Sequence, residues 1–209
     1  MVQVYHEEMS KQPDHSDRRR EIIDAVCRVT LRSGLAAATF REVAAEADCS
    51  VRLVQYYFGS KAGLLEATRA SVGDFTLTRL GEWIEASDGS PRGTVEALMK
   101  SIVPTDEASS QAMVMYIAFA ADSLIAGQND EAARSALVRE TQMIYNGVLE
   151  QMLKADLRPD VEPEIAAAIV EAMMPGLSNN VLNEVMTVDQ AYASIDYHLD
   201  SLFISEPDS

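Results

Sequence analysis

The sequence predicts an all-α protein of about nine helices, with three helices in an N-terminal domain and the rest in a larger domain. Of its 209 residues, 47% are hydrophobic and only 6% are aromatic. The apolar positions lie mainly in segments rich in Ala, Leu, Ile and Met, which favour helices. Glycine and proline are few, and the apolar–polar alternation that indicates strands is scarce.

The first predicted helix covers residues 18–33 and ends at Gly34. Arg18, Arg19 and Arg20 lie in its first turn, where positive charge opposes the helix dipole. Two explanations fit this cluster: contact with phosphates, or a solvated run of charge.

Two short helices joined by a tight turn are predicted next. Thr39 and Glu42 have the spacing of a capping box for the first of them, and Ser50 can cap the second. The second helix is expected to pack Val54 and Phe58 on its predecessor. Its opposite face then carries Val51, Arg52, Gln55 and Tyr56. Arginine can bond guanine, glutamine can bond adenine, and apolar groups can meet thymine methyls, so this face suits the DNA major groove.

Residues 18–65 resemble the helix-turn-helix of the TetR family of bacterial transcriptional regulators. The matching features are the Thr39-x-Arg41-x-x-Ala44 start, the Ser50 cap, the Tyr57-Phe58 pair and the Ser60-Lys61 that opens the next helix. The rest of the chain resembles the family in length and helical character only. Gln55 departs from the tyrosine often found there, and Val51-Arg52 from a commoner Lys-Gly or similar pair. These departures affect which operator is read.

The resemblance implies roles for individual residues in binding double-stranded DNA. Base edges would be met by Val51, Arg52, Gln55 and Tyr56. Phosphates would be met by Thr39, Ser50, Tyr57 and Lys61, with Arg18 and Arg19 as further candidates. Arg41 would reach a base or a phosphate. Thr39 and Ser50 also serve as helix caps without DNA, and the two tyrosines could simply pack.

Six further helices are predicted, at residues 61–86, 92–103, 107–126, 130–155, 163–186 and 188–203. Ser60 caps the first of them, Pro163 fits an opening turn, and Pro175 should kink the helix that contains it. Thr187 and Gln190 form a second capping box. The predicted domains are a flexible arm at 1–16, a helix-turn-helix domain at 17–61 and a ligand-binding and dimerisation domain at 62–209.

The net charge of −16 is unevenly distributed. Residues 1–61 contain nine basic and nine acidic side chains, so all the excess negative charge lies in the rest of the chain. A protein whose residues 1–61 are neutral and whose remaining residues are acidic would approach DNA with residues 1–61 first. The acidic part would limit non-specific binding. Acidity that only maintains solubility explains the acidic part equally well, but it leaves the asymmetry unexplained.

Catalysis, cofactors and metals are not expected. The three histidines, His6, His15 and His198, lack the spacing of metal ligands. No nucleophile–base constellation, paired carboxylates or phosphate-binding glycine loop is apparent, so the protein is not expected to be an enzyme.

A cytoplasmic location is expected. The N-terminus carries no apolar signal-peptide core, and Asp122 and Glu171 interrupt the two longest apolar runs, so no membrane span is predicted. Cys27 and Cys49 are too few for a disulfide framework and suit small buried residues in a reducing compartment.

The family resemblance also implies a cavity for a small-molecule effector among the central helices. Methionine adapts to irregular cavities, although Met-rich faces also form plain core. Asp122 has apolar helical neighbours, so it would meet a ligand, an arginine or water. The candidate effector-binding residues are Met99, Met115, Tyr116, Phe119, Asp122, Met143, Asn146, Met173 and Asn180.

The last two helices are the usual subunit interface of the family. The candidate homodimer residues are Gly176, Leu177, Val181, Val185, Tyr192, Ile195, Leu199 and Leu202, although the core of a monomer would use the same pattern. The sequence therefore predicts a ligand-responsive dimeric transcriptional regulator, in the first place a repressor, on a near-palindromic operator. The alternative is a ligand-independent architectural DNA-binding factor or an all-helical interaction protein.

Overall fold

A computed structural model describes residues 15–126 and 131–204, and within these ranges the protein is helical without any β-strand. The all-α prediction is confirmed. The helices are α1 (His15–Ser33), α2 (Phe40–Glu46), α3 (Val51–Phe58), α4 (Lys61–Ala86), α5 (Pro91–Ser101), α6 (Glu107–Ala126), α7 (Glu131–Lys154), α8 (Pro163–Leu182) and α9 (Val188–Leu202). Most of the predicted N-terminal arm, the predicted loop at 127–129 and the C-terminal tail lie outside the described residues. The chain divides into two compact units between Thr68 and Arg69.

The core of the first unit is built from one face of each of its helices. Its fully buried residues include Ile22 and Val26 of α1, Val43 of α2, Val54 of α3 and Leu64 of α4. Helix α1 begins earlier than predicted, at His15. The His15 ring nitrogen Nδ1 lies 3.0 Å from the Tyr57 hydroxyl, and this contact with α3 holds the first turn of α1.

Serine and threonine caps start three helices of the first unit, α2, α3 and α4. The Thr39 hydroxyl accepts from the Glu42 N–H at 3.2 Å, and the Ser50 hydroxyl accepts from the Leu53 N–H at 3.1 Å. The Ser60 hydroxyl caps α4 in the same way. The predicted second half of the Thr39 capping box is wrong, because the Thr39 N–H donates to the Ala37 carbonyl at 2.7 Å. A 3₁₀ turn at Leu35–Ala37, which the sequence did not predict, places that carbonyl there.

Gly63 lies in the first turn of α4, close to the end of α3. A Cβ atom at this position would lie 2.3 Å from the Phe58 carbonyl oxygen, so backbone would have to move to admit it. We expect Gly63→Ala to lower the free energy of unfolding of the first unit by about 1–3 kcal/mol, the usual cost of overpacking. Urea denaturation followed by circular dichroism measures it.

Gly73, also within α4, is the matched control for this prediction. An added Cβ there would meet nothing within 4 Å. Alanine is the better helix former by about 0.5–1 kcal/mol, so Gly73→Ala should be neutral or stabilising. Equal effects of the two substitutions would show that the Phe58 carbonyl imposes no constraint on position 63.

The second unit packs α5, α7, α8 and α9 around one core. Its buried side chains include Val95, Met99, Val148, Met152, Val170, Met174, Ile195 and Leu199. The predicted Thr187–Gln190 capping box at the start of α9 is present in both directions. Helix α8 ends at Leu182, earlier than predicted, because Glu184 has a φ of 57° and the Asn180 carbonyl accepts from the N–H groups of Val185 and Met186.

Two helices of the second unit are long and apolar enough to cross a membrane by length and composition. They are the stretches Glu107–Ile125 and Pro163–Leu182. Contrary to the prediction, Asp122 and Glu171 do not keep these stretches from meeting the criterion of length and composition, although each stretch also contains a second carboxylate, Glu107 or Glu164. Core helices of water-soluble proteins satisfy the same criterion, so the observation alone is weak evidence for a membrane.

Candidate DNA interface and ligand cavity

The exposed face of α3 carries the four side chains that the sequence assigns to base contacts. Val51 is 44% exposed and Tyr56 is 71% exposed, and Arg52 and Gln55 are also exposed. The opposite face is fixed because Val54 is fully buried and Phe58 nearly so. The helix therefore presents donor, acceptor and apolar groups on a rigid support, as a major-groove reader requires.

Three polar side chains of the first unit are available to a partner. The side chains of Arg41, Arg52 and Gln55 form no hydrogen bond or ion pair with any other residue that the structure describes. All three are exposed. A cationic or amide group without an internal partner keeps its full capacity for a base edge or a phosphate.

The two predicted arginines of α1 are placed differently. Arg18 pairs with Glu21 and donates to the Asp48 carbonyl at 3.1 Å, so it joins α1 to the turn between α2 and α3. Arg19 is exposed, and its guanidinium lies 5.3 Å from the centre of the Phe58 ring, a cation–π distance. Arg18 is therefore engaged within the protein, while Arg19 keeps its donors available.

Tyr57 and Lys61 also have partners within the first unit. The Tyr57 hydroxyl lies against His15, and its ring contacts the Tyr56 ring edge-on at 5.4 Å between centres. Lys61 donates from Nζ to the Ala36 carbonyl at 3.1 Å. A phosphate contact by either side chain would share or replace these bonds, so that role stays a prediction.

Sequence reasoning missed an ion-pair cluster that joins α1 to α2. Glu46 accepts from Arg28 Nε at 2.7 Å and from Arg32 Nη1 at 2.9 Å. The hydrogen bonds from Arg28 and then Arg32 lower the pKa of Glu46 below its ordinary value. Arg28 and Arg32 share an i, i+4 face of α1, which was the available signal, but only the packing of the helices reveals their common partner.

The second unit contains a largely apolar cavity of about 110 Å³. Residues of α4, α6, α7 and α8 and the end of α5 enclose it, and we call it the α4–α8 cavity. Its lining residues are Phe75, Thr76, Arg79, Ser101, Ile102, Ser109, Ala112, Met113, Tyr116, Ile144, Glu171, Met174 and Pro175.

The two charged residues that line the α4–α8 cavity differ in their partners. Arg79 donates to the Ser101 carbonyl at 2.6 Å and to the Val103 carbonyl at 3.0 Å, and it lies 3.6 Å from an Asp106 carboxylate oxygen. Glu171 is half-buried and has no hydrogen bond or ion pair with any described residue. Of the two charged residues of the lining, the one without a partner among the described residues is therefore the negative one, Glu171.

Of the nine residues predicted to bind an effector, Tyr116 lines the α4–α8 cavity. Three others, Met99, Met115 and Phe119, are buried in the packing of the second unit. Asp122, Met143 and Asn146 are exposed, and Met173 and Asn180 are half-buried away from the cavity lining. Sequence reasoning missed Arg79 and Glu171, although a carboxylate within the apolar α8 sequence was a usable signal.

The predicted dimer residues divide into two groups. Leu177, Ile195, Leu199 and Leu202 are buried in the core of the chain itself, and Val181 and Tyr192 are half-buried. Gly176 and Val185 are exposed. Large apolar side chains that α8 and α9 leave exposed, and that the sequence did not single out, are Ile165, Ile169 and Tyr197.

Neither cysteine has the character of a reactive thiolate. Burial raises the pKa of Cys27 to about 11 and also raises the pKa of Cys49, so both are thiols at neutral pH. No group of three or more His, Cys, Asp or Glu side chains is placed to hold a metal ion within residues 15–126 and 131–204.

Comparison with known families and proteins gives consistent matches. Residues 22–68 match the family described as bacterial regulatory proteins, tetR family, and residues 91–204 match the BetI-type transcriptional repressor C-terminal domain. The regulator PksA of Bacillus subtilis is 33% identical over 113 residues, 54% of this chain and 55% of that protein. The regulator BetI of Burkholderia thailandensis is 28% identical over 138 residues, 66% of this chain and 69% of that protein.

Solved structures share the fold. A transcriptional regulator from Rhodococcus sp. Rha1 has a TM-score of 0.74 at 22% identity, covering 90% of this chain and 99% of its own. A regulator from Saccharomonospora viridis, solved in complex with choline, has a TM-score of 0.71 at 21% identity, covering 91% of this chain and 100% of its own.

The matched proteins share one class, transcriptional regulators, although the curated relatives are covered only in part. The aligned segment spans about half the length of the first curated relatives, such as PksA. These relatives regulate transcription and are not enzymes. Both halves of the sequence match parts of the same kind of regulator, and the BetI-type match alone covers more than half of the chain. The chain belongs to the TetR family of helix-turn-helix, DNA-binding transcriptional regulators, with a C-terminal domain of the BetI type.

Proposed function

We propose that this protein is a dimeric, effector-responsive repressor that acts in the cytoplasm. In this proposal α3 reads a near-palindromic operator, and a small molecule in the α4–α8 cavity releases it. The observation that carries the proposal is the exposed face of α3, where Arg52 and Gln55 lack partners among the described residues. A single short helix offers few base contacts, so two copies related by a twofold axis would supply typical operator affinity.

The proposed dimer contact uses the apolar residues that α8 and α9 leave exposed. Ile165, Ile169 and Gly176 recur at helical spacing along α8, and Tyr197 of α9 is 81% exposed. Several large apolar side chains that are exposed together indicate an interaction surface. These residues replace the buried Ile195 and Leu199 as the proposed contacts.

The chemistry of the α4–α8 cavity favours a cationic effector. Arg79 is already matched by two carbonyls and Asp106, whereas Glu171 has no partner among the described residues. A carboxylate in apolar surroundings is stabilised by an opposite charge. The rings of Phe75 and Tyr116 also line the cavity, and aromatic faces attract quaternary ammonium groups. Choline, which the Saccharomonospora viridis protein holds, is therefore a suitable first probe.

Helix α4 supplies a physical route from the effector to DNA binding. It starts at Lys61, directly after α3, and Phe75, Thr76 and Arg79 of the same helix line the cavity. The effector acts only if it binds two arrangements of the protein with different affinity. A hundredfold change in the ratio of DNA-competent to incompetent dimers requires a difference of about 2.7 kcal/mol.

Selection of bound duplexes from a random DNA pool, followed by sequencing, tests the DNA-binding part of the proposal. We expect one near-palindromic site, from which choline then releases the protein. No enrichment at low salt would favour an all-helical interaction protein. Enrichment with no response to small molecules would favour an architectural DNA-binding factor.

Glu171→Gln tests the role of the cavity carboxylate. The substitution keeps the shape of the side chain and removes its charge, so we expect choline to bind at least tenfold more weakly. A tenfold loss corresponds to about 1.4 kcal/mol, which is less than the Coulomb energy of about 4 kcal/mol for opposite charges 4 Å apart at an effective dielectric constant of about 20. Isothermal titration calorimetry measures the affinity.

Glu164→Gln is the matched control, because Glu164 is exposed on the same helix and does not line the cavity. Operator binding without choline should be unchanged in both variants. Similar choline affinities for the two variants would remove Glu171 from the proposed site.

A further inference from the structure

A second depression lies beside the α4–α8 cavity in the same unit. It has a volume of about 290 Å³ and runs between α4, α5 and α7. We call it the α4–α5–α7 groove. Apolar residues that line it include Leu77, Leu80, Ile84, Leu98 and Met143.

The groove suits an apolar group and offers little to a charged one. Leu77 is 59% exposed, Ile84 is 41% exposed and Met143 is 63% exposed, so large apolar side chains lie open along it. Glu150 also lines the groove, but it accepts from Lys154 at 2.7 Å. An apolar chain entering the groove would bury surface without displacing a charged group from water.

Ile144 of α7 belongs to the lining of both the cavity and the groove. On α4, the cavity is lined by Phe75 and Arg79, and the groove by Leu77 and Leu80, from the same two turns of the helix. The two spaces are therefore neighbours, and the half-buried Ile144 side chain lies between them. A β-branched side chain in a helix has essentially one χ1 rotamer, so Ile144 does not swing aside readily.

We propose that Ile144 determines effector length by closing the passage from the α4–α8 cavity to the groove. With isoleucine at this position the effector is confined to the cavity. With a smaller side chain, an apolar tail continues into the groove while its head group stays near Glu171. This inference rests on the proposed function of the cavity as the effector site.

The test uses the full chain and a series of n-alkyltrimethylammonium ions with ethyl, butyl, hexyl and octyl tails, with affinities measured by calorimetry. For the unsubstituted protein we expect affinity to rise with tail length and then to fall once the tail reaches Ile144. For Ile144→Ala we expect the rise to continue, by about fourfold for each methylene group that enters the groove.

A second substitution closes the groove without changing the cavity. Gly147 lines the groove, and a Cβ atom there would meet nothing within 4 Å, so a larger side chain fits without a clash. Adding Gly147→Leu to Ile144→Ala should restore the original length limit. Leu153→Ala, on the same helix but in neither lining, should behave like the unsubstituted protein. Ile144→Val, which removes one methyl group, gives a smaller shift in the same direction if Ile144→Ala fails to fold.

Several outcomes would overturn the inference. One is an unchanged length limit in both Ile144 variants while short ions still bind. Another is a Gly147→Leu variant that changes the oligomeric state without changing the length dependence, since the groove would then be a contact between copies. Ala112→Trp, which fills the cavity, separates the two levels of the proposal, because binding of the ethyl ion to this variant would mean that the cavity is not the effector site. If the unsubstituted protein binds none of the ions, both the effector site and the role of Ile144 are overturned.

Discussion

Replacing Arg79 by methionine should lower the free energy of unfolding of the second unit by about 3 kcal/mol. The Arg79 side chain is 14% exposed, and it donates to the carbonyls of Ser101 and Val103, both of which are buried residues. Methionine fills similar space but donates nothing. A buried carbonyl that loses its donor costs about 1–3 kcal/mol, and two are affected. Urea denaturation of the full chain, followed by circular dichroism, measures the loss.

Arg92→Met is the matched control for this substitution. Arg92 pairs with Glu96 and Asp200 at 2.8 and 2.7 Å, but its side chain is 35% exposed and it bonds no backbone carbonyl among the described residues. Exposed ion pairs contribute about 0–1 kcal/mol, so a small effect is expected. A loss for Arg79→Met no larger than that for Arg92→Met would mean that water replaces the arginine at the two carbonyls.

The second prediction with a large effect concerns the affinity of the protein for its DNA operator. Arg52→Ala should weaken binding to the selected operator by about 1–3 kcal/mol, because a two-bond contact with a base contributes that much discrimination. Arg52 is exposed on α3 and has no internal partner among the described residues, so its removal leaves the fold intact. Affinities for the operator and for single-base variants of it, measured by fluorescence anisotropy, should reveal relaxed specificity at one position in each half-site.

Arg158→Ala removes the same charge from the second unit, where Arg158 is exposed. It should leave both operator affinity and specificity unchanged. An equal loss of affinity on operator and random DNA for Arg52→Ala would assign Arg52 to a phosphate instead of a base.

Local features of the structure were predictable because short-range interactions determine them. Ser50 and Ser60 cap α3 and α4 as expected, and Thr187 and Gln190 form their capping box, since each of these contacts spans three residues. The apolar face of α3 was equally clear from the spacing of Val54 and Phe58. Helical periodicity and caps therefore identified most helix limits.

Features that depend on packing between helices were not predictable. Met99 and Met143 were equivalent as candidates, yet one is buried in the core and the other is 63% exposed. Ile195 and Leu199 fit a subunit interface by their spacing, but they face the core of their own chain. Periodicity indicates that a face is covered without identifying what covers it. The partners of Arg79 lie at the end of α5 and in the segment between α5 and α6, and the sequence does not identify them either.

The internal partners of the basic residues of the first unit have a consequence for how the protein finds its site. Glu46 offsets one of the two charges of Arg28 and Arg32, and Glu21 offsets that of Arg18, so these arginines contribute less to displacing counterions from DNA than unpaired ones would. Attraction to arbitrary sequences depends on that displacement, whereas the fit of α3 to base edges does not. We therefore expect weaker attraction to arbitrary sequences, and a flatter dependence of that attraction on salt, than the first unit would show with these three arginines unpaired.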